Sequence, residues 1–238
     1  MAEISAQSEW YPYQKVQEGF CDLLETVDIP RKICDYILDA PKGDYKPPDN
    51  NAFSRCALWK YLYYDTPHPL KEKLPSIKQK MSVLFNPDKP ENPPTKKGYR
   101  LIPQVFFKQA QEEAQTRIYV YMGRTVARDD YTPTLSVVFD IWTHYTYELN
   151  TKQDQYSRVF AIEQALIQAF HGVNISGVGT FHLNKNVHPD CGSRVIWDKD
   201  TNVGRELVFG LDVATGVGNA IGATENMPLM GENGVMLW

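Results

Sequence analysis

Apolar residues recur at spacings of three and four through the first hundred positions and at spacings of two beyond them, so the chain passes from helical to strand patterning part-way along. Val16, Phe20, Leu23, Leu24 and Val27 form one helical stripe that runs to a break at Ile29-Pro30. Ile33, Ile37 and Leu38 continue a second short piece that ends before Pro41. The turn formers of KGDYKPPDNN follow, and each proline biases its predecessor away from helix. Residues 41–51 therefore read as a linker or an extended arm. Helical spacing resumes over 52–65 through Phe53, Cys56, Ala57, Leu58, Tyr61 and Leu62, and again over 76–85. The proline-rich NPDKPENPPTKKG, 86–98, is the expected boundary after this helical region.

Past the boundary, RLIPQVFF (100–107) reads as a strand that Pro103 confines to an edge or a strand start. Residues 116–127 alternate Ile118, Val120 and Met122 against Tyr119, Tyr121 and Gly123. In 133–149, Leu135, Val137, Phe139 and Ile141 oppose Val138, Asp140, Trp142 and His144. Both faces are largely apolar or aromatic, which predicts a central strand. A helix is expected over 153–171, with Tyr156, Val159, Phe160, Ile162, Leu166, Ile167, Ala169 and Phe170 covering a sheet face and Glu163, Gln164 and Gln168 turned outward. Gly172 stands where a left-handed cap ends that helix. Strands follow at 178–183, 193–198 and 205–213. The glycine-rich remainder has too little periodic apolar surface to pack alone and reads as an extended tail. The pattern predicts an α+β fold: an antiparallel sheet with a covering helix, preceded by a mostly helical region. The units are 1–98, 99–213 and a C-terminal arm, 214–238.

Composition narrows the function classes. A net charge of −4 with a pI near 5.8 speaks against tight, sequence-independent duplex binding. Four cysteines, Cys21, Cys34, Cys56 and Cys191, stand apart without a C-x-x-C pair and read as free structural thiols. Neither a leader pattern nor an apolar run of membrane-spanning length is expected. The glycines of HGVNISGVGTF follow a helix and enter a strand, the reverse of a phosphate loop, and no lysine follows them. Asp198-Lys199-Asp200-Thr201-Asn202 reads as a hairpin turn, because an EF-hand would need glycine and glutamate where Val203 and Phe209 stand. His182, His188, Asp190 and Cys191 fall within ten residues, yet no second cysteine or paired histidine completes a zinc set; a surface loop is expected. Asp140 and His144 share a strand face about 13 Å apart, too far to touch. Ser136 and Ser193 lack a nucleophile-elbow context. The lysines of 71–80 and 93–100, near Tyr61, Tyr63 and Tyr64, are the one locally basic region; they read as a solvated face, with nucleic-acid tracking as the alternative. No metal, cofactor or catalytic set emerges.

Four stretches taken together, LSVVFDIWTHYTY, QYSRVFAIEQALIQAF, NISGVGTF and GRELVFGLDV, resemble the neck and tail-completion proteins of tailed bacteriophages, the group of tail terminators and head-tail joining proteins. In that group a strand ending in a D-I-x-T-H-like sequence precedes a helix, an I-x-G-I-G-like turn and a strand opening with a G-R-x-L-x-F-like sequence. The likeness covers about residues 100–213. It implies a non-enzymatic virion component, made in the host cytoplasm, that forms a hexameric or dodecameric ring joining head or connector to tail around the DNA channel. Implied partners are copies of itself and other neck, connector and tail proteins; DNA passes through an acidic lumen without specific binding, and no membrane is involved. Arms lying over neighbours would enlarge such contacts, with Tyr45, Pro47 and Pro48 in the first arm and Met236, Leu237 and Trp238 in the second as interface candidates. The competing reading is a metal-dependent nucleic-acid-processing enzyme built on Asp198, Asp200, His182 and His188.

Overall fold

The computed structural model describes residues 29–38, 50–86, 93–104, 115–127, 133–149, 157–175, 178–198, 201–212, 229–230 and 236–237. The Val16–Val27 stripe, Tyr45, Pro47, Pro48 and Trp238 lie outside the described residues.

Helix α1 (Ile29–Leu38) starts at the expected break, because Pro30 falls in its first turn where a missing N–H costs nothing. Ile29, Ile33, Cys34 and Ile37 form its buried stripe. Helix α2 (Asn50–Tyr63) begins inside the stretch expected to be an arm, so Asn50 and Asn51 are helical. The Trp59 indole N–H, fully buried, donates to Ile37 O at 2.7 Å and ties α2 to the end of α1. Helix α3 (Ile77–Met81) opens with a capping box between Ser76 and Gln79 and stops well short of residue 85. Val83, Leu84 and Phe85 are all buried, a run that strand pairing accommodates better than one helical stripe. Leu84 accordingly bridges Leu101 in parallel, and the Phe85 N–H donates to Leu101 O at 2.9 Å.

The main sheet runs β1 (Leu101–Ile102), β2 (Thr116–Met122), β4 (Pro133–His144), β8 (Asn202–Asp212), β6 (Gly179–His182), β5 (Asn174–Ile175). β3 (Val126–Ala127) also pairs with β4, and β7 (Gly192–Asp198) with β8. β1 stops before Pro103 and is the last named strand on its side, with Leu84 bridging its outer flank; it pairs with β2 in parallel, so the sheet is not wholly antiparallel. β4 is central, between β2 and β8. It ends at His144 rather than 149, because its ladders end at Thr143↔Thr116 and His144↔Asn202. With no strand left to pair, the Tyr145 N–H bonds Thr201 O at 3.0 Å and Tyr145–Leu149 coils into α4.

Helix α5 (Arg158–Phe170) starts at a Ser157 cap, whose hydroxyl accepts from the Phe160 N–H at 3.2 Å. Gly172, at φ +77°, ends it and donates its N–H to Phe181 O at 2.8 Å. Gly172 and Gly179, the latter at φ +119°, thus turn the chain, and Gly177 lies outside the described residues. Val159, Ile162, Leu166, Ala169 and Phe170 are buried as expected, but two positions are exchanged. Phe160 is 39% exposed and Glu163 only 2%, because Arg205, on the helix-facing side of β8, sits with Nε 2.6 Å from Glu163 Oε2 and its guanidinium over the Phe160 ring. That close pair lacks the alignment of a hydrogen bond.

One hydrophobic cluster draws residues from both sides of 86–98: Ile33, Trp59 and Leu62 pack with Phe139, Leu166 and Phe209. At its centre Phe170 lies 5.1 Å from Phe139 and 5.0 Å from Phe181, ring to ring. Within the tail, Leu229–Met230 (β9) pairs antiparallel with Met236–Leu237 (β10) in a separate two-stranded sheet. Among the described residues no helix is long and apolar enough to cross a membrane.

Candidate functional site

Alternation along β2, β4 and β8 sends Ile118, Val120, Val137, Phe139, Leu207 and Phe209 to the helix side and a second set to the opposite face. At one end of that face Phe85, Tyr99, Ile102 and Tyr119 form a small aromatic cluster with Tyr121 and Trp142 against it. At the other end the loop 184–191 folds over Gly210, where an added Cβ would meet His188 Cβ at 2.8 Å and Cys191 Sγ at 3.1 Å. Between them lies a groove of about 600 Å³, floored by Ser136, Val138 and Val208 and rimmed by Arg124, Lys185, Asp190, Arg194 and Glu206.

Register aligns the charged groups. Asp140 stands directly opposite Glu206, and Glu206 opposite Arg194. Arg194 grips Glu206 with Nε–Oε1 2.7 Å and an NH2 donor to Oε2 at 2.8 Å. The Tyr121 hydroxyl donates to Asp140 Oδ2 at 2.9 Å, while Asp140 Oδ1 is buried without a hydrogen-bond partner. Burial pushes the Asp140 carboxyl up to about 6; the Tyr121 hydrogen bond opposes this and Glu206 reinforces it. Burial, followed by the charge of Asp140, pushes the Tyr121 phenol up in turn.

The loop 184–191 is at the surface as expected, but the His188 side chain turns inward from it with no exposure. The Asp190 N–H donates to its Nδ1 at 3.2 Å, so the ring proton sits on Nε2 and is given to Arg124 O at 2.9 Å. Both nitrogens are used, and neither is left to bind a metal. Cys191 is buried, its thiol 3.4 Å from His182 O; Cys34 and Cys56 are likewise buried thiols outside any disulfide. Among the described residues, no group of three His, Cys, Asp or Glu side chains is placed to hold a metal ion. Asp198↔Asn202 closes a β7–β8 hairpin, as the turn reading requires; Asp200 lies outside the described residues.

The basic region is divided: Lys71, Lys73, Lys78 and Lys96 are exposed, as a solvated face requires, while Lys80 and Arg100 are buried. Arg100 pairs both its terminal nitrogens with Asp65 at 2.6 Å and donates to Leu62 O, and buried Lys80 lies 5.6 Å from the Trp59 ring. Lys97 donates to Tyr63 O at 3.0 Å above the Tyr63 ring. Arg158, from α5, reaches Tyr61 O, Tyr64 O and Thr66 O, so two arginines satisfy the carbonyls at the C-terminal end of α2. Burial draws the Arg158 guanidinium down to about 10, well above neutral pH. Sequence reading missed Tyr121, Asp140, Glu206 and Arg194 as a group, because only the strand register unites them.

A helix-backed sheet whose other face carries a polar groove places this chain among α+β proteins. The YomW family model matches residues 57–209, more than half of the chain, and the chain belongs to that family. Its name comes from SPbeta-like prophages, so the family is phage-associated. No curated protein and no solved structure matches the chain significantly.

Proposed function

We propose that this chain is a structural subunit of a tailed-phage neck, a tail-terminator or head-tail joining protein that closes into a ring around the DNA channel and catalyses nothing. One observation carries the reading. The two strand motifs of the resemblance, Asp140–His144 and Gly204–Phe209, overlap face to face on adjacent strands, with Asp140↔Glu206, Ile141↔Arg205 and Trp142↔Gly204 in register, and α5 packs on them. Motifs distant in sequence are thus parts of one surface. The phage association of the family and the net charge of −4, suited to a lumen that lets DNA slide, support it.

In this reading the chain is made in the host cytoplasm and ends in the virion, touching copies of itself and neck, connector and tail neighbours. Of the residues on which the enzyme alternative rests, Asp198, Asp200, His182 and His188, the last has both ring nitrogens engaged in hydrogen bonds. Antibody labelling of intact particles tests the proposal: label at the head–tail junction is expected, and particles free of the protein would overturn it.

A further inference from the structure

Among the described residues β7 is the longest strand paired on one side alone. Its seven residues, GSRVIWD, keep unbroken register with β8 and contain neither proline nor lysine, and Arg194 is drawn back onto Glu206. An edge without such guards is a template for another strand. Surfaces on both faces flank it. One is the groove, on whose rim Arg124 pairs with Asp190 and Arg194 with Glu206, leaving Lys185 as the surplus positive charge. The other carries Val195, 44% exposed, opposite Arg205, which in turn lies against the exposed ring of Phe160. A strand added beside β7 sends alternate side chains to these two faces. Its occupant should therefore be apolar at successive positions and free of cations.

The chain contains such a segment. Residues 213–238 hold no lysine or arginine, carry Glu225 and Glu232, and include the run Val235-Met236-Leu237-Trp238. Its β9–β10 pair forms a sheet apart from the main one, and two strands alone are marginal in water. The 17 residues from Asp212 to Leu229 span up to about 55 Å when extended, enough to reach a neighbouring subunit.

We propose that the β7 edge seats residues 229–238 of a second copy of this chain. The proposal rests on the ring reading, for which it supplies a subunit contact. Tail and edge are different surfaces, so the contact is heterologous and closes into a ring or propagates as a filament.

Oxidative cross-linking of the full chain tests it, with Val195→Cys combined in turn with Met236→Cys and Leu237→Cys. Disulfide-linked multimers are expected, at about tenfold the yield of a control that replaces Val195→Cys by Gln79→Cys on exposed α3. A bond closed within one chain, no bond, or equal yield from the control would overturn the proposal. The two readings fail separately. Virion label at the neck without cross-links sinks the tail seat alone, and cross-links from a chain absent from virions sink the neck reading alone.

Discussion

Asp140 sits in a costly environment: a carboxylate with one buried, unpartnered oxygen, set opposite Glu206. Its folded value of about 6 exceeds the ordinary 3.8, so between those values the folded chain holds a proton that the unfolded chain has lost. Stability from this group therefore falls as pH rises from about 4 to about 6, and the cost is complete above 6. Asp140→Asn keeps an acceptor for Tyr121 and removes the charge. After discounting for remaining solvent, the variant should gain on the order of 1 kcal/mol at pH 7.5 and almost nothing at pH 4. Urea midpoints at the two pH values check this; an equal midpoint at pH 7.5 would contradict it. Arg158 works in the opposite sense, since its fork satisfies carbonyls of Tyr61, Tyr64 and Thr66. Arg158→Ala should cost about 3–5 kcal/mol in thermal melts, and Arg158→Lys should restore less than half of it, because one ammonium cannot reproduce the fork. Neither role was legible from sequence: Asp140 was weighed against His144, its neighbour along the strand, while its partners lie across the sheet.

At the scale of elements, periodicity was a sound guide wherever one face met the core. The stripe of α1, that of α5 apart from Phe160 and Glu163, the central β4 and the hairpin at 198–202 stand where the pattern placed them. Errors fall where a partner decides. β4 stops when its neighbours stop, α3 yields to the Leu84–Leu101 bridge, and Glu163 is buried because Arg205 faces it. The parallel setting of β1 left no trace in its alternation. Gly172 is the clearest success, a left-handed cap read from its place after the stripe. Gly172→Val should cost about 1–2 kcal/mol through backbone strain, although a Cβ there meets nothing within 4 Å. A melting temperature equal to that of the parent chain would show that the turn does not need φ above zero.

For the molecule as a whole, the helices before 86–98 and the sheet after it share one core, and the tail strands β9 and β10 form a sheet apart from it. Deleting 214–238 should leave the melting temperature nearly unchanged while weakening assembly; a truncated chain that unfolds would contradict this division. The groove and the β7 edge were hidden from the sequence because both arise from strand order. The tail's apolar end, Met236 and Leu237, was visible, and its receiving surface was not. Electron microscopy of the purified chain and of whole particles tests the central claim most directly. The account predicts closed rings in the first and density for this fold encircling the channel between head and tail in the second; monomers in solution and no such density in the particle would contradict it.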